Sequence, residues 1–378
     1  MNKKVVYISG TRAEYGVMFK TLDMIRKNPK LDLCLVVTGM HLSSKHGETI
    51  REIEKDKFKI IKKIKPPLKE MDNLEMAVTI GKYISEMSQL FNKIKPNIIL
   101  LQGDRGEMLA AAIAGAHLNI PVIHVSGGDI SGSIDNSIRK AITCFSHLHL
   151  TDNKENSLRL KKLGEQSWRI KTVGYPGLKI NLKKLYSLEK TSSLINFPLK
   201  KPFILLLQHP VTGESEESGR QMEEILKALA KLKKQILIIY PNTDAGAKQI
   251  IKAINKFEKK YSFVKSFQSF QRKTFLSLMK NAKFLIGNSS SGLVETPLFN
   301  LPTINLGTRQ MGRKKPDNVI NLDYNSDKIY KAALKILNQK EKSKKNKTVY
   351  NSINTEKKIV SFLENIKINK QLLNKYGY

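Results

Sequence analysis

Residues 98–139 open with Ile98-Ile99-Leu100-Leu101-Gln102-Gly103-Asp104-Arg105. They resume at Val122-Ile123-His124-Val125-Ser126-Gly127-Gly128-Asp129 and close on Ile134-Asp135-Asn136-Ser137-Ile138-Arg139. Each apolar run is short and nearly unbroken, and glycine and a carboxylate follow it. A strand covered on both faces needs such a run, so the stretch reads as successive parallel strands with acidic residues at their carboxyl ends. Ligands of open α/β sheets bind outside that edge. Asp104, Asp129 and Asp135 gathered there point to proton chemistry, because crowded carboxylates raise one another's pKa. Structural alternatives exist: Asp104 as a helix N-cap, and Asp135 paired with Arg139 one helical turn on. We favour the functional reading of the set.

The same pattern extends outward. Val5-Val6-Tyr7-Ile8 and Leu33-Cys34-Leu35-Val36-Val37 precede the stretch. After Pro202 the pattern restarts with Phe203-Ile204-Leu205-Leu206-Leu207, Ile236-Leu237-Ile238-Ile239, Phe284-Leu285-Ile286 and Thr303-Ile304-Asn305-Leu306. Helix-like segments lie between the runs. The expected fold is therefore α/β, with two doubly wound, Rossmann-like domains facing across a cleft. Residues 1–190 form the first domain and 200–340 the second, and 341–378 are read as a basic linker and a last helix near residues 356–366. The boundary falls in the polar, strand-poor region 179–201.

Composition narrows the classes. The chain has 378 residues, enough for two domains, and a formal net charge of +33. The excess is mostly Lys along predicted helices and in residues 339–347, without a zinc, zipper or RNA-binding signature. A solvated surface that attracts an anionic small molecule fits better than nucleic acid as the primary ligand. No apolar stretch spans a bilayer and the start is polar, so a cytoplasmic protein without membrane attachment is expected. Cys34 and Cys144 lack metal-ligand spacing and read as buried free thiols. No metal is expected.

Other loops after strands carry further candidates. Ser9-Gly10-Thr11-Arg12 leads into a helix, where Arg12 either grips a phosphate or belongs to a capping turn; the residues leave both open. His209 follows the first strand of the second domain and should face the cleft, whereas His124, His147 and His149 lie in strand-like runs and should be packed and hydrogen-bonded. Tyr240-Pro241-Asn242-Thr243-Asp244 ends another strand and offers contacts to a base or ribose. Gly287-Asn288-Ser289-Ser290-Ser291 enters a helix carrying Glu295, a setting for a diphosphate with a carboxylate near ribose hydroxyls. Arg309 and Arg313 add two cations.

Together with Thr38-Gly39-Met40-His41-Leu42-Ser43, Gly103-Asp104-Arg105, His209-Pro210-Val211-Thr212, Gly287-Asn288-Ser289-Ser290 and Gly307-Thr308-Arg309-Gln310, these motifs resemble the hydrolysing branch of the UDP-N-acetylglucosamine 2-epimerase family. The resemblance implies a fold like that of type-B glycosyltransferases, a nucleotide sugar in the cleft, no redox cofactor, and a homodimer or homotetramer. It implies conversion of UDP-N-acetylglucosamine to UDP and free N-acetylmannosamine, a precursor of sialic acids, by elimination and hydration. Asp104 and Asp129 are then the acid/base candidates, with Asp135, Arg139 and His209 in the catalytic set. Arg12, Arg105, Asn242, Phe270, Ser289, Ser290, Glu295 and Arg309 would hold the substrate, Phe270 against the base. Ser126 departs from the family's usual Glu, as in some relatives that hydrolyse 2,4-diacetamido-trideoxy sugar nucleotides linked to UDP or GDP. Asn136 also stands where relatives often have an acid. A non-hydrolysing epimerase and a basic RNA-binding module are the competing readings.

Overall fold

The computed structural model describes residues 2–67, 72–339, 348–350 and 353–375. Its apolar runs are strands in two wholly parallel sheets. The first contains β1 Lys3–Ser9, β2 Leu31–Thr38, β3 Ile60–Ile64, β4 Ile98–Gln102, β5 Val122–Val125, β6 Leu148–Thr151 and β7 Ile170–Thr172, in the order β3-β2-β1-β4-β5-β6-β7. The second contains β8 Phe203–Leu207, β9 Gln235–Ile239, β10 Val264–Phe267, β11 Phe284–Gly287, β12 Thr303–Leu306 and β13 Val319–Leu322, in the order β10-β9-β8-β11-β12-β13. The two doubly wound domains expected from sequence are both present.

The central strands are those with continuous apolar runs. The edge strands β3, β7 and β10 carry Lys62, Lys63, Lys171 and Lys265, as edges facing water should. That polarity hides them from a search for apolar runs. Strand order reverses between β1 and β4 and again between β8 and β11, which makes each pair a switch point where a crevice opens. The loops following these four strands are those carrying Arg12, Asp104, His209 and Ser289.

The polar region 179–201 holds a short helix, Leu188–Leu194, whose neighbours Leu185, Ile195 and Phe197 pack on the core of the second sheet. The helix Thr355–Asn365 returns to the first sheet, placing Ile359, Val360 and Leu363 against Met18, Leu22 and Ile25. Buried Arg169 then donates from Nη1 to Leu372 O at 2.8 Å, tying down the following turn. Of the basic stretch 339–347, residues 340–347 lie outside the described residues.

One expectation is corrected. Cys34 is buried, but Cys144 is exposed. On the helix Ile134–Phe145 the buried residues are Arg139, Ile142 and Thr143, and Cys144 lies about 150° from the middle of that face, on the solvent side. Among the described residues no helix is long and apolar enough to cross a membrane.

Candidate active site

The strand ends of both sheets line one cavity of about 280 Å³. Asp104 and Arg105 reach it from β4, Ser126 and Asp129 from β5, and Arg12 from β1. His209 enters from β8, Asn242 from β9, Phe270 from the loop after β10, and Ser289, Ser290 and Glu295 from the segment after β11. Asp135, Arg139 and Arg309 also line it, so every residue proposed from sequence meets in the same place.

The acidic end is built from ion pairs, one within the first domain and the others across the cleft. Arg139 is buried and pairs with Asp104, while its Nη1 donates to Asp129 O at 3.0 Å. It makes no ion pair with Asp135 four positions earlier, its guanidinium being taken by Asp104 and the Asp129 carbonyl. Asp135 instead meets Arg309 Nη2 at 3.3 Å, and Asp129 meets Arg313 Nε at 3.2 Å. Arg105 adds a further bridge, to Asp244 at 3.3 Å. Asp104 does not cap the following helix, whose N-cap position is Arg105 with no side-chain cap.

These environments separate two carboxyls. Burial pushes Asp104 up, but Arg139, Arg313 and Arg309 together outweigh it and hold it below the usual carboxylate range. Burial, then the charge of Asp104, pushes Asp135 up despite Arg309. Two carboxyls shifted in opposite directions thus stand at one end of the cavity, the setting in which acid and base roles divide.

At the other end the groups suit an anion. Arg12 Nε meets Glu52 at 3.1 Å, but its buried Nη2 has no partner among the described residues. Arg272 meets Glu295 at 2.6 Å and lines the same cavity. Ser289 through Ser291 follow Gly287, whose φ of +127° and Cβ position 2.0 Å from Leu207 O exclude any larger residue. Phe270 packs against Phe267, with ring centroids 4.6 Å apart. His209 is positioned by its backbone and its ring: its N–H donates to Asn288 Oδ1 at 2.8 Å, and its Nδ1 accepts from Asn242 N at 3.1 Å. The neutral ring therefore carries its proton on Nε2. Burial, then Arg309 and Arg105, keep it neutral. The Asn242 side chain bonds Asp244, so its nearest role is to support this corner.

A family model described as UDP-N-acetylglucosamine 2-epimerase matches residues 23–364. The chain belongs to that family. The UDP-N,N'-diacetylbacillosamine 2-epimerase (hydrolyzing) of Legionella pneumophila is 35% identical over 376 residues, covering 99% of each chain. The UDP-N-acetylglucosamine 2-epimerase of Neisseria meningitidis is 34% identical over 331 residues, covering 87% of this chain and 86% of its own. In fold, the chain matches the Methanocaldococcus jannaschii UDP-GlcNAc 2-epimerase, crystallised with UDP-GlcNAc and UDP, at a TM-score of 0.78 and 21% identity, over 95% of this chain and 99% of that one. As a member of the UDP-N-acetylglucosamine 2-epimerase family, the chain has the family's 2-epimerase type of activity.

Within this 2-epimerase, sequence reading passed over several cavity residues. Asp152 follows β6 directly, and walking one residue beyond the His149 strand would have reached it. Arg272 carries no strand-end signal. Behind the cavity wall, Tyr350 sends its OH to Asp129 Oδ2 at 3.5 Å from 221 residues away, which no local motif announces. His124, buried, bonds Gly103 O through Nε2 at 2.8 Å, and His149 bonds Glu165 at 3.0 Å, the packed roles expected of them.

Proposed function

We propose that this protein is a hydrolysing 2-epimerase that converts a UDP-linked N-acetylhexosamine to UDP and the free 2-epimer. UDP-N-acetylglucosamine, giving N-acetylmannosamine, is the donor expected from its motifs. The observation that carries this reading is the polarity of the cavity. Asp104, Asp129 and Asp135 stand at one end, with Asp104 held below the usual carboxylate range by its guanidiniums and Asp135 pushed above it by burial and by Asp104. Serines and the guanidiniums of Arg12 and Arg272 stand at the other. The nucleoside diphosphate takes the cationic end and the hexose the acidic one. A base removes the C2 proton as the C1–O bond to the diphosphate breaks. Water then adds at C1 while an acid returns a proton to the opposite face of C2. Roles for Asp129, Arg139 and His209 beside Asp104, and nucleotide contacts from Arg105, Asn242, Phe270, Ser289, Ser290, Glu295 and Arg309, belong to this proposal.

A second donor is supported by a specific residue. Ser126 leaves the sugar end without the family's usual Glu, and the relative matching 99% of the chain is named for a diacetamido sugar. UDP-N-acetylglucosamine and UDP-N,N'-diacetylbacillosamine, each incubated with the protein in D2O and followed by NMR, test the reading. Release of UDP with deuterium at C2 of a free sugar is the expected result, and the donor turned over identifies the substrate. Exchange at C2 with the sugar still attached to UDP would make the enzyme non-hydrolysing. No release and no exchange from either donor would overturn the proposal.

A further inference from the structure

Each carboxylate that the motifs led to faces a guanidinium: Asp104 with Arg139, Asp129 with Arg313, Asp135 with Arg309, and Glu295 with Arg272. Glu14, also on the cavity, is occupied by Tyr7 Oη and by the N–H groups of Gly10 and Thr11. Asp152 differs from all of these. It is 1% exposed, lines the cavity, and forms no ion pair among the described residues. Ser126 Oγ donates to its Oδ1 at 2.8 Å. The two residues follow neighbouring strands, β6 and β5, at the sheet's carboxyl edge. Ser126 is held at φ +65°, a left-handed conformation uncommon for a residue with a Cβ and enriched where a backbone is constrained for function.

We propose that Asp152, held by Ser126, is an acid/base group of the 2-epimerase reaction, supplying at the hexose end the carboxyl that position 126 lacks. This rests on the function proposed above. In the elimination the Asp152 carboxylate takes the proton from C2. The C2–H electron pair becomes the C1=C2 bond, and the C1–O pair leaves with the diphosphate. On hydration the oxygen of water bonds C1, a second acid protonates C2 from the opposite face and is recharged by the proton of that water, and Asp152 releases its proton to solvent. Ser126 acts through Asp152 and is a positioning residue.

The surroundings support a group that exchanges protons near neutrality. Burial pushes Asp152 up to about 7; the Ser126 hydrogen bond, Arg313 and Arg139 oppose this, and Asp129 adds to it. Tyr175 and Tyr350 also face it, both kept neutral by burial. A pKa near the working pH suits both halves of a proton transfer.

The test uses whichever donor the wild-type protein turns over, with UDP affinity by calorimetry as the control for an intact site. Asp152→Asn is expected to lower kcat/KM for UDP release by about 10²- to 10⁴-fold, the usual range for losing a general acid or base, with UDP affinity unchanged. Ser126→Ala is expected to move the near-neutral limb of the kcat/KM profile to higher pH, because a hydrogen bond favouring the charged carboxylate is gone. An Asp152→Asn protein within about threefold of wild type would overturn the assignment. So would an unmoved limb in Ser126→Ala, which decides the matter if Asp152→Asn no longer binds UDP. Failure of the epimerase reading shows separately, as a wild-type protein that turns over neither donor.

Discussion

At Asp104 the guanidiniums of Arg139, Arg313 and Arg309 outweigh burial, whereas at Asp135 burial and the neighbouring Asp104 charge prevail. Identical side chains, 31 positions apart in sequence, thus shift in opposite directions through the balance of burial and neighbouring charge. Asp104→Asn should abolish measurable UDP release while leaving UDP affinity near wild type, since the nucleotide end of the cavity is untouched. Arg309→Ala should do the reverse first, raising KM for the donor and weakening UDP binding by calorimetry. If Asp104→Asn retains near-normal turnover, Asp104 has no part in the proton chemistry. Asp104, Asp129, His209 and Ser289 were legible in sequence because each directly follows an apolar run. Asp152 obeys the same rule, but His149 within β6 and His147 just before it interrupt the apolar signal there. Which arginine meets which carboxylate was not legible. The pairs Asp104 with Arg313 and Asp135 with Arg309 join residues of different domains, and no local spacing encodes them.

Among elements, the helix Arg12–Arg26 shows how a local signal and a buried charge combine. Thr11 accepts from Glu14 N and the Glu14 side chain accepts from the Thr11 N–H, a reciprocal cap readable from Thr-x-x-Glu. Burial, against the hydrogen bonds from Tyr7, Thr11 and Gly10, pushes Glu14 up to about 7 from 4.5. The folded state therefore holds this proton more tightly than the unfolded chain does. Its contribution is fully present below pH 4.5 and is lost as pH rises through 7. Glu14→Gln keeps the cap but removes the titration. Urea unfolding at pH 5 and pH 7 should show a smaller loss of stability between the two in the variant than in wild type; an equal loss would refute the assignment. At the sheet edges the opposite holds, since Lys62, Lys63 and Lys171 satisfy water at the cost of a clear strand signal.

The whole molecule is two sheets whose switch points face one another, and its cleft is closed by residues from both sides. Gly132 N donates to Arg309 O at 3.0 Å, and a Cβ at Gly132 would lie 2.0 Å from Thr308 O. Gly132→Ala should hold the domains apart. Turnover should fall by about 10²-fold, the scale for a misplacement of about 1 Å between reacting groups. Small-angle scattering should show a larger radius of gyration; an unchanged radius and rate would refute the closure role. The return of the helix Thr355–Asn365 to the first sheet brings Tyr350 to Asp129, joining the end of the chain to the acidic site. The sequence by itself determined the central strands, the two parallel sheets and the strand-end loops, because short-range periodicity and the need to bury both faces of a strand act locally. Only the tertiary structure decided the opposite shifts of Asp104 and Asp135, the pairing of Ser126 with Asp152 and the joining of the cleft. Those depend on burial and on charges brought together from distant parts of the chain, and both exist only once the two sheets face each other.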